Sequence, residues 1–139
     1  MFGLKPFGMA PHLLPIRVYY EDTDFSGVVY HASYLRFMER GRTELIRDLG
    51  IDQRELFDGG TALAFAVRGM NIEFLKPAVM DDVLTVETVT VEMKGASMNV
   101  RQRVLRGEEV LVTADVKVVC VGDGRARRIP DGLRARLGG

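Results

Sequence analysis

The stretch YYEDTDFSGVVYHASYLRFMERGRTELIRDLG, Tyr19 to Gly50, holds a change of hydrophobic period. Just upstream and into it, Ile16, Val18 and Tyr20 alternate with Arg17, Tyr19 and Glu21, the two-residue repeat of a half-buried strand. From His31 to Leu49 the repeat lengthens, and Tyr34, Phe37, Met38, Gly41, Leu45, Ile46 and Leu49 fall on one side of a 3.6-residue helix, with Arg36, Arg40, Thr43 and Arg47 opposite. Gly50 supplies the left-handed residue that closes many helices. Between the two periods, Asp22 to Gly27 is turn chemistry: short polar side chains that compete for backbone hydrogen bonds, and a glycine free to take unusual dihedrals. Gly41, inside the helical pattern, costs about 1 kcal/mol against alanine, which predicts close packing on a neighbouring backbone.

Downstream the chain reads almost entirely as strand, over about 62–75, 83–93, 97–105 and 109–120. Lys94–Ala96 and Arg106–Glu108 are short enough to make hairpins, so the last three strands are antiparallel neighbours. In the last of them Val110, Val112, Ala114, Val116, Val118 and Cys120 form one face. One long helix and about five antiparallel strands predict an α+β domain whose sheet curls around the helix. A single helix cannot cover so wide a sheet, and an exposed edge strand is a liability, so a second copy of the chain is expected to cover them. Residues 1–15, interrupted by Pro6, Pro11 and Pro15, read as an irregular arm; 16–130 as the domain; 131–139 as the end of an Arg-rich tail.

The 139 residues and their 47% hydrophobic content suffice for one core, not two. Lys plus Arg and Asp plus Glu both number 19, so no global field favours nucleic acid or an anionic surface. No apolar run reaches the roughly 18 residues of a membrane span. Cys120 is the only cysteine, which leaves no intrachain disulfide and no thiolate metal site, and predicts a reducing, cytoplasmic setting.

Three chemistries compete for the loop. Asp22, Asp24, Ser26 and Gly27 match the opening of a calcium loop, but the twelfth position is Ser33 where a bidentate glutamate is required, and a strand precedes it where a helix should. The same D-x-D-x-S opens haloacid-dehalogenase-like phosphatases, whose doubly wound fold needs a strand–helix alternation that this chain lacks. The third reading uses the helix start. Free N–H groups near Tyr30 to Ser33 carry partial positive charge and can polarise a carbonyl, while Asp24 offers an ionised carboxylate and Gly27 a backbone open to a substrate.

The run Y-x-D-T-D-x-x-G-V-V-Y-H-x-x-Y followed by F-M-E-R-G-R-T-E, with F-x-V-R-x-M-x-I-E-F at Phe65–Phe74, P-A-x-x-D-D at Pro77–Asp82 and V-V-C-V at Val118–Val121, resembles the hotdog-fold acyl-CoA thioesterases of the 4-hydroxybenzoyl-CoA thioesterase group. It is most similar to their YbgC type, which is associated with the Tol-Pal system. The resemblance implies a hotdog fold, a dimer or tetramer, and hydrolysis of an acyl-CoA thioester at a subunit interface without metal or redox cofactor. It implies Asp24 as nucleophile or general base, and the His31 backbone N–H as the carbonyl's hydrogen-bond donor. Tyr30, Tyr34 and Ser97 are candidates for substrate contact beside Gly27. A catalytically silent acyl-CoA or acyl carrier protein binding scaffold of the same fold is the alternative.

Overall fold

A computed structural model describes residues 10–60 and 62–138. The helical period at 31–49 becomes α1, His31–Asp48, and buries Tyr34, Phe37, Met38, Gly41, Leu45 and Ile46 as the stripe requires, with Ser33 added at its start. Strands β1 (His12–Arg17), β2 (Ala64–Phe74), β3 (Val83–Met93), β4 (Ser97–Arg106), β5 (Glu109–Gly122) and β6 (Arg125–Ala126) form one antiparallel sheet in the order β1-β3-β4-β5-β2, with the short β6 beside β5. The helix lies on one face of this sheet, above Leu84, Val86, Val100, Val104, Val112 and Val116. This curled antiparallel sheet with its helix is the hotdog arrangement expected from the sequence.

Irregularities bend the sheet. Residues Val104 and Leu105 of β4 face Val112 and Val110 of β5, which leaves Leu111 as an extra residue, and it turns wholly into the core. Val110 therefore departs from the inner face assigned to it by simple alternation. Further register shifts fall between Val67 and Gly69 of β2 and between Thr90 and Glu92 of β3.

Gly41 allows the helix to approach the sheet, but what it meets is side chain and not backbone: a Cβ there would lie 2.6 Å from Val86 Cγ1. Beside it, the fully buried Gln102 donates from Nε2 to Met38 O and Thr88 Oγ1, both at 2.9 Å, and accepts from Arg42 at 2.9 Å. Every polar atom of that amide is thus paired in the core.

The ends of the chain differ from expectation. Residues 1–9 of the expected arm lie outside the described residues, but the first strand begins at His12, pairing through Pro15 with Thr85 of β3. Proline is tolerated there because β1 is an edge. After Arg17 the strand gives way to a 3-10 turn at Tyr20–Asp22, so the apolar alternation at Tyr20 is not extended chain. Within residues 131–138, where a basic tail is expected, there is a helix: α3, Asp131–Arg136, is flanked by the buried Ile129 and Leu137. Arg134 donates to Lys94 O at 2.7 Å and Arg136 to Gly50 O at 3.1 Å. A short helix α2, Gln53–Asp58, fills the expected loop before β2, capped by Asp52, whose carboxylate accepts from Arg54 and Glu55 N–H. No helix among the described residues is long and apolar enough to cross a membrane.

Candidate active site

The loop between the 3-10 turn and α1 closes on itself. Asp24 N–H donates to Val28 O at 2.8 Å, Gly27 N–H to Asp24 O at 3.0 Å, and Thr23 bridges Val29. Gly27 sits at φ +88° with open space where a Cβ would point, so its requirement is backbone conformation and not room.

The two aspartates of this loop have opposite surroundings. Asp22 is buried, and its carboxylate accepts from Tyr19 N–H at 2.8 Å while its carbonyl accepts from Tyr30 N–H at 2.9 Å and Ser33 Oγ at 3.1 Å. It fastens the loop to the helix start, and Arg36 secures Ser33 from the next turn at 3.0 Å. Asp24 is exposed, and Oδ1 accepts from Ser26 N–H at 2.8 Å and Ser26 Oγ at 2.6 Å. The Ser26 hydroxyl is the largest influence holding its carboxyl below the ordinary carboxylate range; partial desolvation opposes it, and the N–H groups of Ser26, Val28 and Gly27 add to it.

At the first turn of α1, Tyr30 N–H is spent on Asp22 O and Ser33 N–H on Tyr30 O. For the N–H groups of His31 and Ala32 there is no acceptor among the described residues. These are the orphan donors of a helix N-terminus, and the helix dipole adds to their pull on an anion. His31 is exposed, its ring tilted by 47° against Tyr30 at 4.4 Å and edge-on to Phe74 at 6.0 Å between ring centroids. A cleft of about 250 Å³ lies there between Val29, His31, Tyr34, Phe74 and Pro77. Among the described residues no group of three His, Cys, Asp or Glu side chains is placed to hold a metal ion.

Of the residues singled out from the sequence, His31 and Tyr34 line this cleft, while Asp24, Gly27 and Tyr30 belong to the loop that leads into α1. Tyr34, however, is buried, and its hydroxyl accepts from Ala78 N–H at 3.0 Å, so only its ring faces the cleft. Burial pushes that hydroxyl's pKa up. Ser97 is not brought to Asp24 within one chain: it opens β4 opposite Val119, next to Met98, which packs near Leu45 and Ile46 in the last turns of α1.

A second support was not read from single residues. Segment 77–82 backs the loop through Val29 N–H to Ala78 O at 2.8 Å and a bridge from Val28 to Val79. Asp82 shapes that segment by accepting from Val79 N–H at 2.9 Å and from Arg106 at 2.8 Å, and Arg106 continues to Glu109 at 2.8 Å. The Val79 N–H, followed by the guanidinium, draws the Asp82 carboxyl below its usual range. The P-A-x-x-D-D motif was its signal in the sequence.

Comparison with known proteins is consistent with this geometry. The family profile described as thioesterase-like superfamily matches residues 18–137. The chain is similar to the acyl-CoA thioesterase YbgC of Haemophilus influenzae, 47% identical over 115 residues, which cover 83% of this chain and 84% of that protein. Among solved structures, a probable thioesterase from Bartonella henselae superposes with a TM-score of 0.84 at 46% identity, covering 87% of this chain and all of the other. A hypothetical protein from Aquifex aeolicus gives a TM-score of 0.86 at 27% identity, covering 91% and 99%.

Proposed function

Because this chain belongs to the thioesterase-like superfamily, we propose that it hydrolyses acyl-CoA thioesters to a free carboxylic acid and CoA, with Asp24 as the reacting carboxylate. The observation that carries this is an exposed carboxylate, Asp24, on the short loop that leads into α1, whose first-turn N–H groups at His31 and Ala32 have no acceptor among the described residues. The thioester carbonyl accepts from the N–H of His31, assisted by that of Ala32, and the negative charge that develops on its oxygen is met by donors already in place. A thiolate leaves readily, so no strong general acid is required.

Two routes fit these atoms. In one, Asp24 attacks the acyl carbon, the C–S bond breaks to release CoA thiolate, and water then hydrolyses the mixed anhydride. In the other, Asp24 takes a proton from water as the water attacks. A single turnover in oxygen-18 water distinguishes them: label in the Asp24 carboxylate marks the anhydride route. The His31 imidazole, beside the donors, is a candidate contact for the sulfur or the acyl group. Tyr30, Gly27 and the Tyr34 ring complete the substrate wall, and Ser97 is assigned to it only across a subunit boundary.

A second copy is part of this reading. One edge of β2, an eleven-residue strand, pairs with no strand among the described residues, and Val67 and Phe74 on it are each about half exposed. Sedimentation giving a stable monomer at micromolar concentration would remove this element. A cytoplasmic location, read from the lone Cys120, and an association with Tol-Pal components, implied by the resemblance to the YbgC type, belong to the proposal; fractionation and co-purification from cells test them.

The decisive experiment is thiol release from short, long and aromatic acyl-CoAs and acyl carrier protein thioesters, by the native chain and by Asp24→Asn. Turnover abolished in the variant supports the reading. Tight binding of acyl-CoA with no turnover by the native chain would favour the silent scaffold instead.

A further inference from the structure

Resting on the reading of Asp24 as the reacting carboxylate, we propose that Ser26 is a positioning residue, whose hydroxyl fixes one oxygen of Asp24 and so presents the other to the acyl carbon or to water.

An exposed aspartate on a surface loop ordinarily samples several rotamers, and each turnover must then collect the productive one. Here the backbone is already closed by the bonds from Asp24 N–H to Val28 O and from Gly27 N–H to Asp24 O. What remains free is the Asp24 side chain, and Ser26 removes that freedom with two donors on the same oxygen, its N–H at 2.8 Å and its hydroxyl at 2.6 Å. The hydroxyl contact is in the range of charge-assisted O–H to carboxylate bonds. A carboxylate oxygen that accepts two such bonds has little lone-pair capacity left, whereas Oδ2 has no partner among the described residues. The two oxygens are thereby made inequivalent: Oδ1 is structural, Oδ2 reactive.

The same contact favours the charged form further, lowering the carboxyl's pKa from its ordinary value. Glu21 and Asp22 on the 3-10 turn and His31 on α1 are the titratable neighbours along the chain, and none is among the causes that set its ionisation, which are neutral donors and partial desolvation. Donors without charge are not screened by salt, so the acidic limb of the activity profile should hold its position as ionic strength rises.

The test compares the native chain with Ser26→Ala, Ser26→Thr and Asp24→Asn, using the acyl-CoA turned over fastest. Ser26→Ala keeps the backbone donor and the fold, so its loss isolates the hydroxyl. We expect kcat to fall about 3- to 30-fold with KM within about twofold, and the acidic limb of kcat/KM to move to higher pH. Ser26→Thr, which retains a hydroxyl, should restore both. Native kcat and an unmoved limb in Ser26→Ala, with Asp24→Asn inactive, would overturn the role of Ser26 alone; full turnover by Asp24→Asn would instead overturn the reading beneath it. Carbon-13 NMR titration of the Asp24 carboxyl gives an answer independent of turnover: a higher midpoint in Ser26→Ala is expected, and equal midpoints in the two proteins would overturn the contact.

Discussion

The two ends of α1 are finished in opposite ways. At the C-terminus, Leu49, Gly50 and Ile51 return their N–H groups to Leu45, Arg47 and Ile46 carbonyls. Arg136 covers Gly50 O, and His12 bonds Asp48 at 2.8 Å. At the N-terminus the chain approaches without a side-chain cap, and two donors, the N–H groups of His31 and Ala32, have no acceptor among the described residues. A helix whose only task was to cover the sheet would gain stability from capping both ends, at about 1 kcal/mol for a typical N-cap. The difference is what the proposed function uses: the end without a side-chain cap is the one assigned to the substrate.

The sharpest way to break this contrast is Asp24→Asn, which should leave folding intact and reduce kcat by about 10²- to 10⁴-fold, the span typical of a lost general base. A folded variant with native turnover would make the open end merely unfinished. Next comes the helix middle. Gly41→Ala should improve helix propensity yet destabilise the protein by about 1–3 kcal/mol, because the new methyl overlaps Val86. Thermal melting reads the sign directly, and a stabilised variant would mean that the helix can lift without cost.

Ser33→Ala removes the buried hydroxyl that fastens the Asp22 carbonyl to α1. A loss of about 1–2 kcal/mol in urea unfolding is expected, together with lower turnover, since the Asp22 carbonyl is then held to the helix start by Tyr30 N–H alone. Lost stability with unchanged turnover would uncouple the two. Asp82 supplies a pH dependence. Its folded-state pKa lies below the unfolded value, so its contribution is present above the ordinary carboxylate range and is lost as pH falls through the depressed folded value. Asp82→Asn should therefore be less stable at neutral pH by an amount that shrinks on acidification; parallel stability curves for the two proteins would contradict this. The smallest effect belongs to the sealed end, where Arg136→Ala should cost under about 1 kcal/mol and leave kcat unchanged.

Much of this arrangement was legible in the sequence because the hydrophobic period itself changes at His31, and α1, β3 and the two hairpins follow from it with bounds close to those observed. Local periodicity failed where a tertiary contact decides. Leu111 breaks alternation because a bulge, invisible in a run of apolar residues, inserts it into the core. Gln102, a polar residue within an apolar strand, is buried because Met38, Thr88 and Arg42 supply its partners from elsewhere in the chain. In the Arg-rich end, charge masked the two apolar anchors, Ile129 and Leu137, that hold α3. α2 did carry a local signal, Asp52 with Glu55 three residues on, of the kind that starts helices.

At the site, Asp24, Gly27 and His31 were readable because a turn, a glycine and a helix start are all short-range features. Ser97 was not, since its distance from the loop is a property of the whole sheet. Tyr34 was half readable: its ring lies where expected, but the Ala78 N–H that occupies its hydroxyl comes from a segment far along the chain.

The fastening of Asp22 to Tyr30 and Ser33 has an evolutionary consequence. The groups assigned to bond breaking all belong to one contiguous run, residues 22–36, folded as a unit around its own carbonyls. On the proposed function, substitutions in remote strands that meet an acyl chain would alter what is accepted without changing a residue of this run.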